Sequence, residues 1–277
     1  MSGKLFIVGT PIGNLGDISE RALRTLRECD FIAAEDTRVT LKLLNHFEIK
    51  KPLVSYHEHN KFQKTEAIAD RISSGESCAL VSDAGMPCIS DPGMELVDIC
   101  HERGIPVETV PGPSAVITAL SISGLNVSRF SFEGFLSVNK SSRRKHLEEI
   151  RNESRTMVFY EAPHKLPYTL KDLHEALGDR RIALVKELTK IHEQVERTSL
   201  AAAAEKYSVE KPKGEFVLII EGRDSSQSDA EPKTLEEAAE MAREYVEEGF
   251  SPTEAAKRAA KESGLKKGDI YRLLTSE

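Results

Sequence analysis

Short runs rich in Val, Ile and Phe alternate along the first 110 residues with amphipathic stretches of helix length, and this alternation limits the fold more than any other feature. KLFIVG (4 to 9), DFIAAED (30 to 36), PLVSY (52 to 56), CALVSD (78 to 83) and IPVETV (105 to 110) have the composition of strands. Between them lie SERALRTLREC (19 to 29), residues 37 to 46, TEAIADRISSG (65 to 75) and MELVDICHERG (94 to 104). Strands alternating with helices predict βαβ units on a mostly parallel sheet. Gly104 is suited to ending a helix and Pro106 to starting a strand. An N-terminal α/β domain is expected over 1–112.

The pattern changes after PGPSAVITALSISG (111 to 124). FSFEGFL (130 to 136), TMVFYEA (156 to 162), RIALVKEL (181 to 188), QVERTS (194 to 199) and GEFVLIIEG (214 to 222) read as a second set of strands, with helices near 164 to 177 and 199 to 207. Fewer helices per strand predict an α+β domain with a mixed sheet over 113–223. RDSSQSDAEPK has no apolar periodicity, and a linker is expected over 224–233. Three helices are then expected in 234–277, at 234 to 249, 251 to 264 and 265 to 274. Ser251 can cap the second, with Pro252 at its first position and Glu254 at its third. Such a tail reads either as a helix-turn-helix or as a helical cap packed on the body.

A chain of 277 residues with 39% hydrophobic and 30% charged side chains is not mainly disordered. No stretch approaches the roughly 18 uninterrupted apolar residues of a membrane span, and MSGKLFIVGTPIGN has no cleavable apolar segment behind a basic head. No membrane association and a cytoplasmic location are expected. Cys29, Cys78, Cys88 and Cys100 form no C-x-x-C pair, so they read as buried small hydrophobes. His57-Glu58-His59 lacks a further ligand cluster, and no metal is expected.

The formal charge of -7, from 38 Lys+Arg and 45 Asp+Glu, argues against a surface that grips nucleic acid everywhere. Locally the balance differs. Arg129, Lys140, Arg143, Arg144 and Lys145 face only Glu133 between 129 and 146, and SVNKSSRRKH reads as a phosphate-contacting loop or as the start of a solvated helix. Between 257 and 272, Lys257, Arg258, Lys261, Lys266, Lys267 and Arg272 outnumber Glu262 and Asp269. Residues 231 to 248 instead hold seven Glu against Lys233 and Arg243. The tail is polarised, with its second and third helices as the candidate RNA face.

GTPIGNLGDIS (9 to 19) follows a strand and opens a helix, where open α/β sheets bind ligands. Its glycines match neither a dinucleotide fingerprint nor a Walker A loop, and a plain tight turn accounts for them equally well. SDAGMPCISDPG (82 to 93) is the stronger signal. Pro and Gly fix a rigid open loop with main-chain groups turned to a ligand, and Asp83 adds a carboxylate at the strand end. VPGPSA (110 to 115) repeats the design one strand later, with Ser114 able to cap the next helix. Two stiff connectors are the competing account.

GTPIGNLGDIS, AEDTR (34 to 38), SYHEHN (55 to 60), SDAGMPCISDPG, VPGPSA, FEGFL (132 to 136), FYEAPHK (159 to 165), KELTKIHEQ (186 to 194) and KGEFVLIIEG (213 to 222) resemble, in this order, the tetrapyrrole methylase family, and within it the bacterial methyltransferases of ribosomal small-subunit RNA. SDAGMPCISDPG and FYEAPHK separate the chain from the porphyrin enzymes and from diphthine synthase. The resemblance spans roughly residues 4 to 222 and implies a two-domain, class III methyltransferase fold with S-adenosylmethionine in the cleft between domains. It also implies a homodimer and methylation of a cytidine ribose 2'-hydroxyl in the decoding region of 16S rRNA, with free rRNA or the small ribosomal subunit as partner. Carried over by motif, Pro11, Asp83, Ala84, Gly85, Met86, Pro87, Ser114, Ala115, Tyr160, Glu161, Leu188, Gly214 and Glu215 line the cofactor pocket, many through their backbone.

Methyl transfer from a sulfonium is an in-line displacement, so alignment and exclusion of water are the main demands. A 2'-hydroxyl is a weak nucleophile that a base or a cation would assist. Glu187 and Asp36 are the preferred catalytic candidates, ahead of Lys186, Lys190 and Glu133. A related methylase of a tetrapyrrole small molecule and a non-catalytic RNA-binding assembly protein are the competing functions; the basic segments disfavour the first, and the loops at 82 to 93 and 110 to 115 the second.

Overall fold

The structure, a computed structural model, describes residues 3–224 and 234–275. These fall into two units, one ending at Arg223 and the other starting at Asp224. The expected linker residues 225–233 lie outside the described residues.

The first half of the larger unit follows the alternation in the sequence. Strands β1 (Leu5–Val8), β2 (Phe31–Ala34), β3 (Leu53–Ser55), β4 (Cys78–Val81) and β5 (Val107–Val110) form one sheet in the order β3-β2-β4-β1-β5. Every pairing in it is parallel. Helices α1 (Glu20–Glu28), α2 (Thr37–His46), α3 (Lys61–Ser73) and α4 (Met94–Glu102) connect the strands. A parallel sheet needs cover on both faces. Leu5, Phe31, Cys78 and Leu80 pack with Ile68, Ile72 and Leu96 on one face. Val8, Ile32, Ala79 and Val81 pack with Ala22, Leu26 and Leu44 on the other. This period of two is the strand alternation of sequence translated into layers.

The second half begins with α5 (Ala115–Ser123), which ends at Gly124 in the left-handed region. Strands β6 (Phe130–Gly134), β7 (Thr156–Glu161), β8 (Arg181–Lys186), β9 (Gln194–Ser199) and β10 (Phe216–Ile220) form a sheet in the order β6-β7-β10-β8-β9. Only β6 and β7 run parallel; the other pairs are antiparallel, giving the mixed sheet expected. Helices α6 (Lys140–Glu149), α7 (Leu166–Leu177) and α8 (Leu200–Val209) join its strands. Phe159, Leu170, Leu184 and Leu218 belong to the core of one face, and Val116, Val158, Val185 and Ile219 to that of the other. Burying a ring such as Phe159 contributes roughly 2–3 kcal/mol.

The basic segment is the main departure from the loop reading. Residues 140 to 149 are helix α6, started by the Asn139 side chain, which accepts from the Ser141 and Ser142 amides. Asn-capped, alanine-free but rich in Arg and Lys, the segment has adequate helix propensity once its first turn is satisfied.

The C-terminal unit contains α9 (Leu235–Glu247), α10 (Pro252–Ser263) and α11 (Lys267–Thr275). Thr234 and Glu237 form a reciprocal capping box on α9, while Ser251 caps α10 with Pro252 at its first position. The core is mostly alanine: Ala238, Ala242, Ala255, Ala256 and Ala259 around Ile270.

Cys29, Cys78 and Cys100 are buried and Cys88 is half-buried, all as free thiols. Burial pushes Cys29, Cys88 and Cys100 up to about 11, so thiolate is scarce at neutral pH. The thiols are expected to react with an aromatic disulfide reagent at pH 8 only as the chain unfolds; labelling of Cys88 at the rate of a free peptide thiol would contradict this.

Candidate functional site

Three loops that leave the carboxyl ends of β1, β4 and β5 meet through backbone contacts. Thr10 and Gly85 exchange two amide hydrogen bonds, of 2.9 and 3.1 Å, pinning the first loop to SDAG. The Thr10 hydroxyl also donates to the Ser82 carbonyl at 3.3 Å. Gly9 and Gly112 approach so closely that a Cβ on Gly9 would lie 2.7 Å from the Gly112 Cα and from the Met86 sulfur. Only bare backbone fits there. Gly85 has φ +84°, a left-handed conformation that sets the path of the second loop toward Ile12 and Pro113.

The second half closes on the same place. Ile12 of the first loop packs into the core face formed by Val116, Leu188 and Val217. Gly13 lies against KELTK: a Cβ there would stand 2.8 Å from the Lys190 side chain and from the Thr189 hydroxyl. Glu187 and Thr189 hold positive φ of 52° and 64°, rare for residues with a side chain. The surrounding bonds hold this shape. Glu187 Oε1 accepts from the Glu215 amide at 3.0 Å and from Lys190 Nζ at 3.1 Å, and Lys190 Nζ also donates to Glu215 at 2.9 Å. Gly214 is required beside them, since its Cβ would overlap the Glu187 carboxylate at 2.6 Å.

The expected site residues therefore divide by duty. Pro11, Asp83 to Pro87, Ser114, Ala115, Leu188, Gly214 and Glu215 belong to these converging segments. Ser114 precedes α5, yet its side chain makes no capping bond. The Tyr160 hydroxyl meets the Val116 backbone instead, which ties β7 to the first turn of α5, and its ring packs 5.5 Å from the exposed Phe135. Glu161 faces the interior: its carboxylate accepts from the Ala162 amide at 2.8 Å and the Thr169 hydroxyl at 2.5 Å.

Both carboxylates expected to act in catalysis are held as anions. The Glu215 amide and then Lys190 keep Glu187 below the usual carboxylate range. Asp36 caps α2 and is paired with Arg38 at 2.6 Å, which holds it far below that range. Carboxylates so engaged are weak proton acceptors, and their geometry suits orienting neighbours and balancing charge. Asp36 also links to the site through its amide, which donates to Asp83 Oδ1 at 3.1 Å.

The basic candidates separate too. Arg143 pairs with Asp172 at 2.5 Å and donates to Thr169 at 2.9 Å, docking α6 on α7, so its guanidinium is committed within the fold. Arg129, Lys140, Arg144 and Lys145 are exposed, the last with only a 3.7 Å contact to Glu149. In the C-terminal unit Lys257, Lys266 and Lys267 are exposed, and the Arg258 guanidinium lies 3.8 Å from the Phe250 ring centre.

A pocket of about 320 Å³ adjoins the first loop. Thr10, Pro11, Gly13 and Leu15 form one side, Val39, Thr40, Lys42 and Leu43 of α2 another, and Ser82 with Asp83 the third. The α2 wall was not legible in the sequence, where residues 37 to 46 offer only helix periodicity.

Comparisons with known proteins show the family to which the chain belongs. A profile of the family described as Tetrapyrrole (Corrin/Porphyrin) Methylases matches residues 4–204. A protein from Synechocystis named ribosomal RNA small subunit methyltransferase I is 44% identical over 98% of this chain and 97% of its own length. Its namesake from Bacillus subtilis is 43% identical over 97% of this chain and 93% of its own. The namesake from Thermotoga maritima is 48% identical over 80% of this chain and 100% of its own length. Among solved structures, diphthine synthase superposes with a TM-score of 0.60 at 14% identity, covering 80% of this chain and 90% of that one. A uroporphyrin-III C-methyl transferase from Thermus thermophilus complexed with S-adenyl homocysteine gives 0.55 at 19%, covering 78% and 97%.

Burial first, then nearby negative charge, raises the carboxyls of Glu35 and Asp83 at these strand ends. A carboxyl raised by folding opposes the folded state once ionised; the opposition is complete above the folded value and fades as the pH falls toward the unfolded one. Glu35→Gln is expected to raise the melting temperature at pH 8 by about 1–3 °C, with the gain vanishing near pH 4. A Glu35→Gln protein no more stable than the parent at pH 8 would contradict this.

Proposed function

Because the chain belongs to the tetrapyrrole methylase family, among its ribosomal RNA small subunit methyltransferase I members, we propose that it methylates the ribose 2'-hydroxyl of a cytidine in the decoding region of 16S rRNA. S-adenosylmethionine is the methyl donor of this methyltransferase. The observation that supports the reading is the meeting of the β1, β4 and β5 loops, where Gly9 and Gly112 pack backbone to backbone and the left-handed Gly85 turns the second loop beside the exposed Asp83 carboxylate.

The residues present suit such a donor. The Gly9–Gly112 contact holds the loops at close range, and the start of α5 keeps amides beyond that of Val116 that Ser114 does not cap, a setting that favours polar ligand groups. Pro11, Asp83 to Pro87, Ser114, Ala115, Tyr160, Leu188, Gly214 and Glu215 would hold it, with Glu161 contributing main chain because its carboxylate is spent on Ala162 and Thr169. When bound, S-adenosylmethionine would supply a methyl group on a sulfonium, with the neutral thioether as leaving group when C–O forms and C–S breaks, and the hydroxyl proton would pass to solvent. The protein's part is alignment: the Thr10–Gly85 bridge and the Gly13–KELTK contact fix the first loop from both sides. Glu187 positions the Lys190 ammonium, whose charge favours an oxygen that is losing its proton. Asp36 positions Asp83 through its amide.

Exposed Arg129, Lys140, Arg144 and Lys145, with Lys257, Arg258, Lys266 and Lys267 of the C-terminal unit, support rRNA or the assembled small subunit as the partner. The enzyme acts as a homodimer in the cytoplasm, a reading supported by the family resemblance; no described helix is long and apolar enough to cross a membrane.

Incubation with unmodified small subunits and donor, followed by mass-spectrometric mapping, is expected to find one methyl on a cytidine ribose; a methyl on a base would overturn the 2'-hydroxyl assignment. Calorimetry is expected to show donor binding that Gly9→Ala weakens at least about tenfold, while the exposed Gly16→Ala changes it little; equal affinities would remove the loop meeting as the donor site. Truncation within 225–233 is expected to lower subunit affinity and flatten its salt dependence, and superimposable salt series would contradict a role for the C-terminal helices.

A further inference from the structure

We propose that the pocket between the first loop and α2 receives the target nucleoside, flipped out of its RNA stack, a reading that rests on the rRNA methylation above. Six of its ten lining residues, Pro11 and Asp83 among them, belong to the first and second loops assigned to the donor, and the other four come from α2, which has no part in holding it. An acceptor has to sit against the donor, so a cavity that shares one wall with the donor loops is where the acceptor oxygen can be aligned.

Its size and lining suit one nucleoside. A volume of about 320 Å³ lies at the small end of the roughly 300–1,000 Å³ of ligand pockets, too little for a four-ring macrocycle. Leu15, Val39 and Leu43 give aliphatic surfaces, and Leu15 and Val39 are 42% and 38% exposed, as residues that await a flat partner would be. Unstacked bases of RNA loops and bulges are splayed out and stacked on protein side chains, and a flipped base is read in a pocket between aromatic or apolar side chains.

Polar groups complete the recognition. One Asp83 oxygen accepts the Asp36 amide, and the second can accept from an exocyclic amine, the group that distinguishes cytosine from uracil. Thr40 adds a hydroxyl on the same lining, while those of Thr10 and Ser82 donate to the Ser82 and Ala84 carbonyls and hold the wall in place. Lys42 stands at the rim, exposed and without an ion pair among the described residues, where it can meet the phosphate beside an extruded sugar.

Two exposed positions on α2 allow a test on the full-length protein. Val39→Trp fills the pocket from a site that tolerates bulk, and Lys42→Ala removes the rim charge. Donor affinity by calorimetry is expected to stay within about twofold for both, while KM for unmodified small subunits rises at least about tenfold for Val39→Trp and about three- to tenfold for Lys42→Ala, the latter with a shallower salt dependence. Parallel loss of donor affinity in Val39→Trp would assign the pocket to the donor and overturn the proposal. Unchanged transfer in Val39→Trp would overturn it as well. A parent protein that binds the donor but leaves small subunits unmethylated would instead defeat the underlying rRNA reading, and this proposal with it.

Discussion

The contact between the backbones of Gly9 and Gly112 is the constraint on which the site depends. Two parallel neighbours, β1 and β5, deliver their loops to the same edge of the sheet, and any side chain at either glycine would hold those loops apart. With both bare, the first loop can lie between VPGPSA and SDAG, bond Gly85 in both directions, and push Ile12 into the core of the second sheet. One steric allowance thus fastens the two halves of the larger unit to each other at the mouth of the candidate site.

Most of the fold was legible in the sequence because its signals are local. Strand and helix periods, Gly104 after α4, and Ser251-Pro252 before α10 all act within a few residues of themselves. Residues 140 to 149 were harder: their helix buries no residue completely and has a mixed polar surface, so it lacks the apolar stripe that marks a helix from outside. Its docking rests on Arg143 reaching Asp172, twenty-nine positions away, which no local pattern records.

The site was legible in its loops and opaque in its side chains. Gly and Pro announce a loop's path directly, since they act on the backbone. Whether a carboxylate is free or committed depends on partners distant in sequence: Glu187 on Glu215, Glu161 on Thr169, Asp83 on Asp36. Ser114 shows the same limit from the other side. It occupies the expected capping position, but the bond goes to Tyr160 from a strand of the second sheet. The pocket wall on α2 escaped notice for this reason, because Val39, Lys42 and Leu43 acquire meaning only when Asp83 and the first loop stand opposite them.

The alanine core of the C-terminal unit has a consequence for how the chain can change over generations. Helices that meet through alanines lie close together and bury little surface each, so the unit gains only a few kcal/mol from its interior. An interior so small makes each of its alanines count, because a larger side chain at any of them would force the helices apart.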